Sequence, residues 1–131
     1  MEFRRLAATL PGGTETILVV DDDPSIRFLC RVNLELEGWN VREAATIDAA
    51  RDELSAGSVA LVLLDVHVGS SSGADFLDEL RRERPHLPVA MLTGSVGGPP
   101  LEQLVPDAII SKPFTLDELT DTVRNLVATG R

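Results

Sequence analysis

Three acids in a row, a fourth acid further on, one threonine and one lysine are the residues of this sequence whose types and placing could do chemistry together. Asp21, Asp22 and Asp23 directly follow the apolar run Ile17-Leu18-Val19-Val20, and Asp65 closes the run from Val59 to Leu64. Thr93-Gly94 ends the run from Pro88 to Leu92, and Lys112-Pro113-Phe114 follows Ala108-Ile109-Ile110. Carboxylates crowded at one place repel each other and attract a hard, oxygen-seeking cation such as Mg²⁺. With the cation and a lysine neutralising the charge that builds on the equatorial oxygens, a carboxylate becomes a workable acceptor for a phosphoryl group. Thr93 and the backbone N–H of Gly94 supply further donors, and the missing side chain at Gly94 leaves such a centre approachable. Taken singly, an Asp at the end of a strand reads as a helix cap or turn residue. The weight of the chemical reading therefore rests on the whole set sharing one edge.

The elements that would place them there follow from hydrophobic periodicity. Apolar runs at 17–20, 59–64, 88–92 and 108–110, with a weaker alternating run at 40–44, read as strands. The first, third and fourth are almost continuously apolar, as strands covered on both faces must be, and the alternating second reads as an edge. Ile26, Leu29, Cys30 and Leu34 lay one stripe along a helix from Pro24 to Gly38. Ile47, Ala50 and Leu54 do so in a second helix that Gly57 ends, and Phe76, Leu77 and Leu80 in a third that starts near Gly73. The last helix carries Leu116, Leu119, Val123, Leu126 and Val127, with Thr115 and Glu118 as a capping box. The stretch from Gly97 to Pro106 holds Pro99, Pro100 and Pro106, so a fourth helix should be a stub or absent. Five alternating units predict an α/β fold with a parallel sheet, whose carboxyl strand ends line one rim where ligands bind. Asp23 stands directly before Pro24 and suits the helix N-cap, and Cys30 suits the core. His67 and His86 lie on unrelated segments and do not read as a metal pair, and Trp39 suits a helix-to-strand turn.

Composition narrows the function class. A chain of 131 residues with 44% hydrophobic residues supports one packed domain. Residues 1–16 read as a flexible arm, 17–128 as the domain and 129–131 as a tail. Twenty-one acids against twelve basic residues give a net charge of −9, which disfavours nucleic acid as a direct partner. The single cysteine excludes a disulfide framework and cysteine-paired zinc sites, and fits a reducing cytoplasm. Neither a signal peptide nor an apolar run long enough for membrane insertion is present. Glycine-rich nucleotide-binding motifs are missing as well.

Order and spacing resemble the receiver domain of two-component response regulators over residues 17–128. The likeness is carried by Ile17-Leu18-Val19-Val20-Asp21-Asp22-Asp23-Pro24, Leu63-Leu64-Asp65-Val66-His67 with Gly73 eight positions after Asp65, Leu92-Thr93-Gly94, and Ser111-Lys112-Pro113-Phe114. The resemblance implies a doubly wound, flavodoxin-like (βα)5 fold with strand order 2-1-3-4-5 and a cis peptide at Lys112-Pro113. It implies Asp65 as phosphoacceptor, with Mg²⁺ or Mn²⁺ held by Asp21, Asp22, Asp65 and the backbone carbonyl of His67. Thr93 and Lys112 would hold the phosphoryl oxygens. The implied donor is a sensor histidine kinase or a histidine phosphotransfer domain, the output is a protein contact, and no turnover substrate is expected.

Two positions and one helix depart from the family pattern. Ile109 stands where an aromatic usually reports phosphorylation, and the chain has no tyrosine. The shortened fourth helix alters the face that many transcriptional regulators use to dimerise, so signalling by that route is not expected. Gly69 replaces a usual proline, which predicts a more mobile loop with Ser70, Ser71 and Ser72. Leu10 to Leu18 resembles the junction before a C-terminal receiver in hybrid histidine kinases, so a piece of a longer chain and a freestanding receiver both stay open. Two other functions also stay open: a haloacid-dehalogenase-like phosphatase using Asp21 as nucleophile, and an interaction module independent of phosphorylation. Against the phosphatase stand the short length and the placing of Asp117, Glu118 and Asp121 inside the last amphipathic helix.

Overall fold

The structure is a computed structural model, and it describes residues 15–94 and 106–130. In chain order the elements are β1 (Thr16–Val20), α1 (Pro24–Leu36), β2 (Asn40–Ala44), α2 (Ile47–Ala56), β3 (Leu61–Asp65), a small hairpin of β4 (His67–Val68) and β5 (Ser71–Ser72), α3 (Gly73–Glu83), β6 (Val89–Thr93), β7 (Ala108–Ser111) and α4 (Leu116–Thr129). Five strands form one parallel sheet in the order β2-β1-β3-β6-β7. Counting the main strands alone, this is the expected 2-1-3-4-5 order. The described elements run from Thr16 to Thr129. Thr16 already pairs with Asn40 and accepts a hydrogen bond from the N–H of Ala60, and the Thr129 hydroxyl donates to the Asn125 carbonyl in the last turn of α4. The expected stub between Gly97 and Val105 lies outside the described residues.

Strand periodicity splits the core into two layers. Ile17, Val19, Leu61, Leu63, Ala90 and Leu92 point to one face, where Cys30 and Leu34 of α1 and Leu119 and Val123 of α4 cover them. Leu18, Val20, Val62, Leu64, Val89 and Met91 point to the other, beneath Ala50 and Leu54 of α2 and Phe76, Leu77 and Leu80 of α3. Both faces being covered explains why these strands read as unbroken apolar runs. The stripe on α1 is narrower than its sequence suggests, because Leu29 is partly exposed while Cys30 and Leu34 are fully buried. Trp39 packs on the edge of the same layer.

Helix starts are set by side-chain caps that satisfy otherwise unpaired N–H groups. Asp23 accepts from the Ser25 N–H, Thr46 from Ala49, Ser72 from Asp75 and Thr115 from Glu118, with the Glu118 carboxylate returning the bond to the Thr115 N–H. The loop after β3 is closed as a hairpin in which His67 pairs with Ser72 and Val68 with Ser71. Gly69 turns it at φ +63°, a conformation that a proline ring cannot adopt.

Candidate functional site

Sheet register sets the site. Val20 is paired with Leu64, so Asp21 comes abreast of Asp65, while Asp65 lies beside Leu92 and Thr93 beside Ser111. The residues after the strand ends of β1, β3, β6 and β7 thereby meet on one rim. Asp21 is 0% exposed and is gripped on every side. Its N–H donates to the Ala44 carbonyl at 3.1 Å. Its Oδ1 accepts the Asp23 N–H at 2.9 Å, and its Oδ2 accepts Lys112 Nζ at 2.8 Å. Asp22, the next residue, is exposed at the mouth. Carboxylate oxygens of Asp21, Asp22 and Asp65 all lie within 4.8 Å of one another. Such an all-oxygen, multiply anionic cluster fits a hard divalent cation.

Lys112 ties the rim together. Its ammonium stands 3.6 Å from Asp65 Oδ2, and its backbone N–H donates to the Thr93 carbonyl at 2.7 Å. The peptide bond that follows, Lys112-Pro113, is cis, as the resemblance implied. Gly94 is needed for a different reason than open access alone. A Cβ there would come 3.0 Å from Lys112 Cβ and 3.1 Å from Lys112 Cδ, so the absent side chain makes room for the lysine stem.

Burial raises the pKa of Asp65, the charge of Asp21 raises it further, and Lys112 together with the His67 N–H pulls it back only in part. Lys112 moves the other way in charge preference. Burial lowers its pKa, but the hydrogen bond and charge of Asp21, with those of Asp65, outweigh this and hold the ammonium protonated. Beneath the rim, burial first and the Asp21 charge second push the Cys30 thiol up to about 12. That thiol is a core group, as its place in the helix stripe predicts.

The residues singled out in the sequence fall into three groups. Asp21, Asp22, Asp65 and Lys112 are in mutual reach. Thr93 stands at the same rim, half-buried, joined to Lys112 through the backbone, and His67 reaches the site through its N–H to Asp65. Asp23 leaves the cluster to cap α1 through the Ser25 N–H, as expected. Arg27 was not singled out, yet its Nη1 donates to the Asp21 carbonyl at 2.8 Å and its Nε to Glu43 Oε1 at 3.0 Å. The sequence signal was an arginine one helical turn past the N-cap, but its partner Glu43 lies on a different strand. Gly73 gains a physical reason. Its N–H donates to the Val66 carbonyl at 2.7 Å, and a Cβ would collide with the Asp65 carbonyl.

Residues 17–124 match the family of the response regulator receiver domain. Among relatives, the chain is 33% identical over 127 residues to the probable transcriptional regulatory protein TcrX of Mycobacterium tuberculosis, covering 88% of this chain and 51% of that protein. It thus spans about half the length of that relative. Among solved structures, the receiver domain of NtrX from Brucella abortus superposes with a TM-score of 0.79 at 32% identity, over 86% of this chain and 98% of that one. The response regulator TrrA of Thermotoga maritima, solved in complex with Mg²⁺-BeF, superposes at 0.75 with 29% identity, over 86% of this chain and 99% of that one. With the sheet order, the acidic rim and the family match in agreement, the chain belongs to the receiver domains of two-component response regulators.

Proposed function

We propose that Asp65 accepts a phosphoryl group in a Mg²⁺-dependent reaction, from the phosphohistidine of a sensor histidine kinase or a histidine phosphotransfer domain. The observation that carries this reading is the bridge made by Lys112 between Asp21 and Asp65, beside the open carboxylate of Asp22. A metal-bound relative, TrrA, adds support. Asp21, Asp22, Asp65 and the His67 carbonyl are the groups that would hold the cation. Asp21 also accepts the Asp23 N–H and Lys112, one bond on each oxygen, which fixes its carboxylate in place. When bound, Mg²⁺ supplies positive charge to the equatorial phosphoryl oxygens.

An Asp65 carboxylate oxygen forms the new O–P bond as the P–N bond to the donor imidazole breaks, and the imidazole leaves with the bonding pair. Lys112 shifts its ammonium toward the oxygen charge it can now neutralise, and the Thr93 hydroxyl donates to a second oxygen. Asp21 is an unsuitable nucleophile. It is fully buried with both oxygens occupied, which weighs against a phosphatase that would attack through it. Turnover of an external substrate is therefore not part of the proposed role, which we place in the cytoplasm. Ile109, 43% exposed on β7, cannot act as an aromatic reporter, so output runs through a protein contact other than the usual switch.

Incubation with Mg²⁺ and acetyl phosphate, followed by intact-mass measurement, tests the reading. One phosphoryl adduct per chain is expected, absent in Asp65→Asn. Sustained phosphate release that survives Asp65→Asn and stops in Asp21→Asn would favour the phosphatase instead.

A further inference from the structure

We infer that Arg27 is a positioning residue for the acidic turn, holding the backbone between β1 and α1 so that Asp21 and Asp22 face the cation site. The inference rests on the reading of that site given above. Arg27 sits on the first turn of α1 with its side chain only 17% exposed. One guanidinium nitrogen grips the Asp21 carbonyl at 2.8 Å, and another grips Glu43 Oε1 of β2 at 3.0 Å. The second oxygen of Glu43 forms an ion pair with Arg31 at 2.9 Å from Nε, and Arg31 Nη2 donates to the Val41 carbonyl at 3.0 Å. A planar fork is suited to such two-point contact, and its geometry is lost with a point charge. Two contacts therefore bracket the peptide that joins β1 to Asp22. From β2, the Ala44 carbonyl accepts the Asp21 N–H, and from α1, Arg27 donates to the Asp21 carbonyl. Arg31 shares Glu43 but touches no part of the turn among its described bonds, which makes it the natural comparison.

The sign of one measurement separates positioning from charge. Removing a cation beside an acidic site deepens its negative potential and tightens Mg²⁺ binding. Losing the grip on the turn weakens it. Calorimetric titration of unphosphorylated protein with Mg²⁺ alone, paired with melting temperatures, reads both. In Arg27→Met the Mg²⁺ dissociation constant is expected to rise about five-fold, the equivalent of one hydrogen bond. Arg31→Met is expected to lower the melting temperature as well but to leave Mg²⁺ affinity within about two-fold. Unchanged or tighter Mg²⁺ binding in Arg27→Met, with wild-type binding intact, overturns the inference alone. Equal weakening in both variants overturns it too. Absence of Mg²⁺ binding in the wild type overturns the reading of the site itself. Should Arg27→Met not fold, Arg27→Lys keeps the charge and removes the fork; weaker Mg²⁺ binding is then expected, and unchanged affinity is the contrary result.

Discussion

Asp65 pays for its position in the free protein with unfavourable ionisation, and this has a measurable sign. Burial and the neighbouring Asp21 charge raise its pKa above the ordinary 3.8. A folded-state pKa raised above the unfolded one means that the associated stability is present below about 3.8 and is lost as pH rises through the folded value. Asp65→Asn cannot ionise, so in the presence of EDTA at pH 7 it is expected to melt higher than wild type. That gain should shrink as pH falls toward 3.8, where the wild-type carboxyl is neutral as well. Thermal melts across pH 4–8 check it, and a lower melting temperature for the variant at pH 7 would show that attraction to Lys112 dominates instead. Residue types at this scale were legible in the sequence, because Asp21, Asp22, Asp65, Thr93 and Lys112 each lie within two residues of the end of an apolar run. Which oxygen of Asp21 meets Lys112 was not legible, since that contact joins residues 91 positions apart.

Elements place those residues through close backbone approach. Gly73 opens α3 against the end of β3, its N–H bonded to the Val66 carbonyl, with no room for a Cβ beside the Asp65 carbonyl. In Gly73→Ala the start of α3 must move away from the strand that carries Asp65. Destabilisation of about 2 kcal/mol or more is expected in urea unfolding, with slower phosphorylation by acetyl phosphate. A variant of wild-type stability would contradict the close packing. The strands and the helix stripes were readable because two buried faces leave a strong periodic signal, as Ile17 to Val20 and Leu61 to Leu64 show. Strands of two residues carry no such signal, and the β4–β5 hairpin was read only as a polar loop. Arg27 and Glu43 escaped for a related reason. Each looks like an ordinary charged surface position until α1 is laid across β2.

At the scale of the whole molecule, the charge of −9 now divides in two. Part is drawn into the rim at Asp21, Asp22 and Asp65. Much of the remaining acid is matched locally, as in Arg51 with Glu79 and Asp48, and Arg124 with Glu37 and Asp121. Exposed pairs of this kind add little stability, but the uncompensated excess repels polyanions and draws cations toward the rim. Among the described residues no helix is long and apolar enough to cross a membrane. With Ile109 on β7 in place of an aromatic reporter, phosphorylation is not expected to drive dimerisation through the face that contains it. Sedimentation of the phosphorylated protein should show the same mass as the unmodified one; a phosphorylation-dependent dimer abolished by Ile109→Glu would contradict this.

Asp65, and not the deeper Asp21, is expected to form the acyl phosphate. Borohydride reduces an acyl phosphate to the alcohol and so converts the modified aspartate to homoserine, which peptide mass mapping can locate. After phosphorylation with Mg²⁺ and acetyl phosphate, homoserine is expected at position 65 alone. Homoserine at position 21, or none at 65 in protein whose intact mass shows the adduct, would contradict Asp65 as the acceptor.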